Sequence, residues 1–280
     1  MTSSPALVST EWLAERLGSP DIRIADASWY LPTTGRDGRA EFMERHIPGA
    51  FFFDIDEISD QTSGLPHMLP DPAKFASRAK KLGLGDGNRV VVYDGAGIFA
   101  SARVWWMVRA MGHRDVSVLD GGFPKWLAEG RPVDDNPVLP RERHFTPRPD
   151  NMLIRNREQM LRNLQSRQEQ VLDARPAGRF HGRDPEPRPG LRGGHIPGSL
   201  NLPYTELLNA DGTMKAPDAL RLAFRGLGVD PARPVTATCG SGVSAAIILL
   251  ALAVIGAPDG ALYDGAWAEW GADAALPLET

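Results

Sequence analysis

Gly194-His195-Ile196-Pro197-Gly198-Ser199 repeats, 149 residues on, an earlier stretch that reads Arg45-His46-Ile47-Pro48-Gly49-Ala50. Two further pairs keep the same order and nearly the same interval. Ile24-Ala25-Asp26-Ala27 returns as Val171-Leu172-Asp173-Ala174, 147 residues later. Val118-Leu119-Asp120-Gly121-Gly122-Phe123 returns as Ala261-Leu262-Tyr263-Asp264-Gly265-Ala266-Trp267, its Asp-Gly 144 residues later. Three anchors in register mark a duplicated domain, because the interval far exceeds the roughly 20–50 residues of a solenoid repeat. Two domains is also the natural number for 280 residues, at roughly 100–200 residues each.

Working outward, each copy alternates short apolar runs with helical patterns. Arg89-Val90-Val91-Val92-Tyr93 reads as a buried parallel strand. A turn at Asp94–Gly97 follows, then an apolar helix around Ala102–Ala110. The second copy repeats this with the strand Val235–Thr238, a turn at Cys239–Gly242 and the helix Ser244–Val254. The alternation predicts an α/β fold: in each copy, a parallel sheet flanked by helices on both faces. From Asp134 to Asp150 the chain is rich in Pro, Arg and Asp and has no period. This places a first domain at residues 1–134, a linker at 135–150 and a second domain at 151–280, which opens with a helix near Arg157–Arg167.

Composition narrows the function classes. Hydrophobic residues make up 42% and charged residues 24%, enough apolar material for a core in each copy. A net charge of −4 leaves no broad basic surplus, so no nucleic-acid partner is expected. The local cluster from Arg183 to Arg192 leaves room for a small anion. MTSSPALVST lacks a basic start followed by an apolar run, so no signal peptide is expected. The longest apolar stretch, Val243 to Ala257, is shorter than the about 20 residues of a membrane span and follows a Gly-rich turn, so no membrane partner is expected. A single cysteine excludes an internal disulfide framework and suits a reducing cytoplasm. With scattered histidines it makes no metal-ligand cluster, and no metal is expected.

That cysteine, Cys239, ends the apolar strand and opens the loop Cys239-Gly240-Ser241-Gly242-Val243-Ser244, which leads into a helix. Ligands of parallel α/β sheets bind at the carboxyl ends of strands. Two glycines let successive N–H groups turn inward as an anion-binding nest, and the helix N-terminus adds positive partial charge. Both favour a thiolate, or a persulfide anion, over the neutral thiol. A bystander cysteine in a tight strand–helix turn accounts for the glycines but not for the cysteine. The first copy has Asp94 at the equivalent place. A carboxylate cannot take a sulfane sulfur, so that domain is expected to be catalytically silent. His46 and His195 recur in both copies beside Pro48 and Pro197 and are expected to be structural; Trp105, Trp106, Trp126, Trp267 and Trp270 are expected in core and domain-interface packing.

The duplicated plan and its motifs resemble the rhodanese superfamily, from Asp26-Ala27-Ser28-Trp29-Tyr30 to Tyr263-Asp264-Gly265. The His-Ile-Pro-Gly repeat marks the superfamily. The cysteine loop, and Gly178-Arg179-Phe180 followed by Pro185-Glu186-Pro187-Arg188, are more specific. The loop resembles that of members taking sulfur from 3-mercaptopyruvate. Members using thiosulfate typically carry Arg and Lys where this chain has Gly240 and Ser241, and relatives commonly have Thr where it has Ser244. The resemblance implies that Cys239 accepts the sulfur, and that Arg179 and Arg188 hold the donor's carboxylate and keto oxygen, as guanidinium forks suit them. Gly240, Gly242, Val243 and Ser244 would line the donor. Ser241, His67 and Asp56 would form a serine–histidine–aspartate arrangement in an inter-domain cleft, His67 and Asp56 coming from the first domain. Read without the resemblance, His67 is a structural histidine, Asp56 a helix cap, and the arginines solvated charges.

The implied reaction is a double displacement with a persulfide intermediate and no cofactor. Its acceptor is a thiol, thioredoxin or cyanide. Whether Ser241, His67 and Asp56 move a proton or orient the donor stays open. Three rivals stand beside it. Thiosulfate as donor would want the missing basic pair. A cysteine phosphatase needs an arginine closing its loop, where this chain has Ser244 and Ala245. A sulfur-carrying or regulatory module would keep Cys239 but has no use for Arg179 and Arg188.

Overall fold

The β-branched runs of the sequence become the strands of two parallel sheets. A computed structural model describes residues 5–136, 138 and 140–280. Residues 137 and 139 of the expected linker, and 1–4 of the N-terminal stretch read above, lie outside the described residues.

The chain forms two units. One comprises Met1–Asp60, Pro70–Asp150 and Leu208–Met214, the other Gln61–Leu69, Asn151–Leu207 and Lys215–Thr280. The first contains β1 (Leu7–Val8), α1 (Thr10–Ala14), β2 (Ile22–Asp26), α2 (Gly38–Glu44), β3 (Ala50–Phe52), α3 (Ile55–Ile58), α4 (Pro72–Lys81), β4 (Arg89–Tyr93), α5 (Ala100–Ala110), β5 (Val116–Leu119) and α6 (Gly122–Ala128). Its sheet has the order β1-β5-β4-β2-β3, all pairs parallel. The second contains β6 (Ile154–Arg155), α7 (Arg157–Ser166), β7 (Gln170–Asp173), α8 (Ala177–Phe180), β8 (Leu200–Asn201), α9 (Pro217–Gly226), β9 (Val235–Thr238), α10 (Ala245–Val254), β10 (Ala261–Tyr263) and α11 (Ala266–Trp270). Its order, β6-β10-β9-β7-β8, is the first order with each strand replaced by its repeat. The duplication read from three sequence anchors is therefore a duplication of topology.

Every residue of β5, β9 and β10 is buried, and so is every residue of β4 after Arg89. Strands buried at successive positions need cover on both faces, and the flanking helices supply it. α10 is apolar all round and buried from Ala245 to Leu252, as a helix packed on several sides must be. It has 10 residues, and among the described residues no helix is long and apolar enough to cross a membrane. Trp105, Trp106, Trp126, Trp267 and Trp270 are all buried. Trp126 lies in the core cluster of the first unit with Val91, Tyr93 and Leu119, and Trp267 and Trp270 lie in that of the second with Met160 and Tyr263.

His46 and His195 are structural in the same way. A carbonyl only accepts, so each ring carries its proton on Nδ1: His46 donates to the Phe42 carbonyl at 2.7 Å, His195 to that of Phe180 at 2.9 Å. Each stacks on the same phenylalanine, at ring separations of 4.1 and 3.7 Å. Beyond Asp134 the described linker residues hold no helix or strand, yet the segment is tied to the first unit. The N–H groups of Arg148 and Asp150 donate to the carbonyls of Met111 and Ala110, and Phe145 packs on Phe75.

Candidate active site

Cys239 follows the last residue of β9, and the loop after it climbs into α10. Two hydrogen bonds turn the loop's carbonyls outward. The N–H of Trp267 donates to the Cys239 carbonyl and that of Ala268 to the Gly240 carbonyl, both at 2.9 Å. With the carbonyls turned away, the N–H groups are left to line the concave side. Among the described residues, those of Gly240, Ser241, Val243 and Ser244 bond to no carbonyl or side chain. Gly242 adopts φ +78°, the left-handed conformation such a nest requires. The N-terminal end of α10 faces the same loop. Cys239 is 1% exposed and is a free thiol.

The equivalent loop of the first copy is filled differently. Asp94 follows β4 as Cys239 follows β9, and the N–H of Phe123 donates to its carbonyl as Trp267 does to that of Cys239. The Asp94 carboxylate, however, folds back into its own loop. It accepts from the N–H groups of Ala96, Phe99 and Ser101, each at 2.8 Å. The first copy thus fills its loop with oxygens of its own side chain.

Two arginines stand over the cysteine loop. A Cβ placed on Gly240 would lie 2.9 Å from Arg179 Nη2 and 4.0 Å from Arg188 Nη1, so the lack of a side chain there lets both guanidinium groups approach the backbone. Arg179 stands on the last turn of α8, and its Nε and Nη2 donate to Glu186 Oε2 at 3.1 and 2.5 Å. Glu186 Oε1 in turn accepts from Arg175 at 2.7 Å, and Arg175 forks onto Asp173 at the end of β7. Burial works to lower the Arg175 pKa, but Asp173 and Glu186 outweigh it and hold the pKa above the usual guanidinium range. Its guanidinium also lies over the Trp267 ring. Arg179 and Arg188 are the arginines expected from the sequence, whereas Arg175, Asp173 and Glu186 enter the site only in the structure. Their signal was present in Asp173-Ala174-Arg175 and in the carboxylate held between Pro185 and Pro187. Arg192, from the expected basic cluster, is no anion site. Its guanidinium donates to the carbonyls of Trp270, Gly271, Asp273 and Leu276.

His67 reaches the loop. Although it falls in the first copy by sequence, Gln61–Leu69 clusters with the second unit. His67 Nδ1 lies 3.1 Å from Ser241 Oγ, and both side chains are buried. His67 has φ +59°, a left-handed conformation that a side-chain-bearing residue adopts at a cost of about 1–3 kcal/mol. The Leu69 N–H donates to Asp264 Oδ2 at 2.7 Å and pins the segment two residues on. Asp56 lies in the first unit, in the first turn of α3, and accepts from Trp29 Nε1 at 2.9 Å. The cap of that helix is Asp54, which accepts from the Glu57 N–H. Asp56 is therefore not the helix cap that its position allowed. Among the described residues no group of three or more His, Cys, Asp or Glu side chains comes together to hold a metal.

This arrangement can hold an anionic sulfur on a bed of N–H groups, bind a planar carboxylate or keto group beside it, and present a hydroxyl–imidazole pair to a proton in flight. The comparisons with known proteins concern the chain as a whole. The Rhodanese-like domain family matches residues 9–129 and 156–273, one match per copy. The 3-mercaptopyruvate sulfurtransferase of Rattus norvegicus is 49% identical over 95% of this chain and 91% of its own. The thiosulfate sulfurtransferase of Cricetulus griseus is 49% identical over the same shares. The crystal structure of the 3-mercaptopyruvate sulfurtransferase SseA from Escherichia coli superposes with a TM-score of 0.86, at 40% identity over 94% of this chain and 99% of that one. Matched in both of its copies and nearly half identical to such enzymes along almost its whole length, the chain belongs to the rhodanese family of sulfurtransferases.

Proposed function

We propose that the protein takes the sulfur of 3-mercaptopyruvate onto Cys239 as a persulfide, releases pyruvate, and passes the outer sulfur to a thiol, thioredoxin or cyanide. One observation carries the reading: Arg179 and Arg188 stand over Gly240 in the cysteine loop, where a 2-keto acid needs cations. The Cys239 thiolate attacks the donor sulfur. The carbon–sulfur bond breaks, and its electron pair goes to the methylene carbon as the enolate of pyruvate. The proton of the donor thiol ends on that carbon, so Cys239 holds a persulfide anion and pyruvate leaves. Arg179 and Arg188 stabilise the carboxylate and the growing enolate charge. Ser241 and His67, 3.1 Å apart, stand ready to relay the one proton. The part of Asp56 rests on the family resemblance. A lone, reduced cysteine supports work in the cytoplasm.

Thiosulfate is the second reading, favoured by the equally similar thiosulfate sulfurtransferase relatives. Gly240 and Ser241 weigh against it, because a dianion wants the basic pair they replace. Incubation with each donor separately, followed by intact mass measurement, decides. A gain of about 32 Da with 3-mercaptopyruvate, lost in Cys239→Ser, is the expected result. Faster loading from thiosulfate would reverse the donor assignment, and no gain from either would end the enzyme reading.

A further inference from the structure

Glu186 occupies an unusual place for a carboxylate. Its side chain is 2% exposed, and it lies between Arg175, 1% exposed, and Arg179, 18% exposed. Asp173, Arg175, Glu186 and Arg179 form a chain of alternating charge, running from the end of β7 to the guanidinium over the cysteine loop. Two of its members are accounted for without the reaction. Asp173 and Arg175 pair bidentately, and Arg175 also donates to the Gly194 carbonyl. The link from Glu186 to Arg179 has a different character. Arg179 is partly in water, and its long side chain left to itself would sample many rotamers. The carboxylate grips its Nε and Nη2 edge, so one orientation is chosen before any ligand arrives. Prolines at 185 and 187 restrict the backbone on both sides of Glu186, so the carboxylate is itself preset.

We propose that Glu186 is a positioning residue for the donor's carboxylate: it holds Arg179 over Gly240 and acts on the reaction only through that guanidinium. The inference rests on the keto-acid reading above. Its consequence is selective. A donor with a carboxylate loses affinity when Glu186 goes, whereas a donor without one does not.

Glu186→Gln keeps the shape and removes the charge, and Arg175 retains Asp173 and the Gly194 carbonyl, so the fold is expected to survive. For 3-mercaptopyruvate, KM should rise about 10- to 100-fold with kcat changed less than about threefold, the scale of one charge-assisted hydrogen bond. Loading of Cys239 by inorganic polysulfide, read by intact mass, should stay within about twofold of wild type. Glu186→Asp should recover part of the KM. A cycle with Arg179→Gln separates positioning from general structure: the second substitution should add less than about twofold to the first. An unchanged KM, an equal loss with polysulfide, or additive effects in the cycle would each overturn the proposal. Failure of wild-type protein to load from 3-mercaptopyruvate, with polysulfide loading intact, would instead overturn the keto-acid reading on which it rests.

Discussion

His67 Nδ1 stands 3.1 Å from Ser241 Oγ, 174 residues away in sequence, and His67 holds a left-handed backbone to do so. Strain retained beside a reactive cysteine argues for a task, and the task that the chemistry leaves unfilled is the proton of the donor thiol. Ser241→Ala should lower kcat for 3-mercaptopyruvate by about 100-fold, the usual scale of lost acid–base help. His67→Asn should do the same, since asparagine tolerates the left-handed region but cannot relay a proton as imidazole does. Polysulfide moves no proton to carbon, and its loading should persist in both. Steady-state kinetics with both donors checks this. A rise in KM alone would assign the pair to orientation.

Asp94 makes a prediction about the first copy. Three N–H groups depend on its carboxylate, that of Ser101 buried and those of Ala96 and Phe99 partly buried. Asp94→Ala leaves them without an acceptor, at about 1–3 kcal/mol for the buried Ser101 N–H and less for the two that water can reach. We expect a loss of roughly 2–3 kcal/mol in urea unfolding, against about 1 kcal/mol for Asp94→Asn, which keeps one oxygen in the loop. A loss below about 1 kcal/mol in the alanine variant would show that the loop does not need its internal acceptor.

Legibility in the sequence followed locality. β4 and β9 match the runs Arg89–Tyr93 and Val235–Thr238, because a strand buried on both faces keeps its β-branched and apolar residues contiguous. The cysteine loop was readable because its two glycines and following helix are contiguous. Glu186 was not, since a carboxylate between two prolines reads equally well as a surface turn until Arg175 and Arg179 are seen on either side of it. The anchoring of Leu69 by Asp264 spans 195 residues and joins a backbone group to a side chain, and neither leaves a pattern. For the same reason nothing in the polar, aperiodic stretch around Gln61–Leu69 announced that it clusters with the second unit. Asp54 and Asp56 differ by two positions in one acidic turn, and only the hydrogen bonds tell the cap from the partner of Trp29.

Asp26 gives a prediction in pH. It ends β2, is buried, and accepts from the Ser28 N–H at 2.8 Å. Burial, with a smaller push from Asp94, raises its pKa to about 6 against the opposing pull of Ser28 and Tyr93. An unfolded aspartate titrates near about 3.9. Between these values the native chain holds a proton that the unfolded chain has lost, so folding takes up a proton and stability falls as pH rises. The contribution is complete below about pH 4 and gone above about pH 6, and the two values correspond to roughly 3 kcal/mol. Asp26→Asn stays neutral throughout and keeps an oxygen for the Ser28 N–H. Urea unfolding of both proteins at pH 4, 5, 6 and 7 should show the variant gaining on wild type by up to that amount as pH rises, with most of the gain between pH 4 and 6. A difference that stays flat over that window would mean that Asp26 is ionised in the native state at little cost.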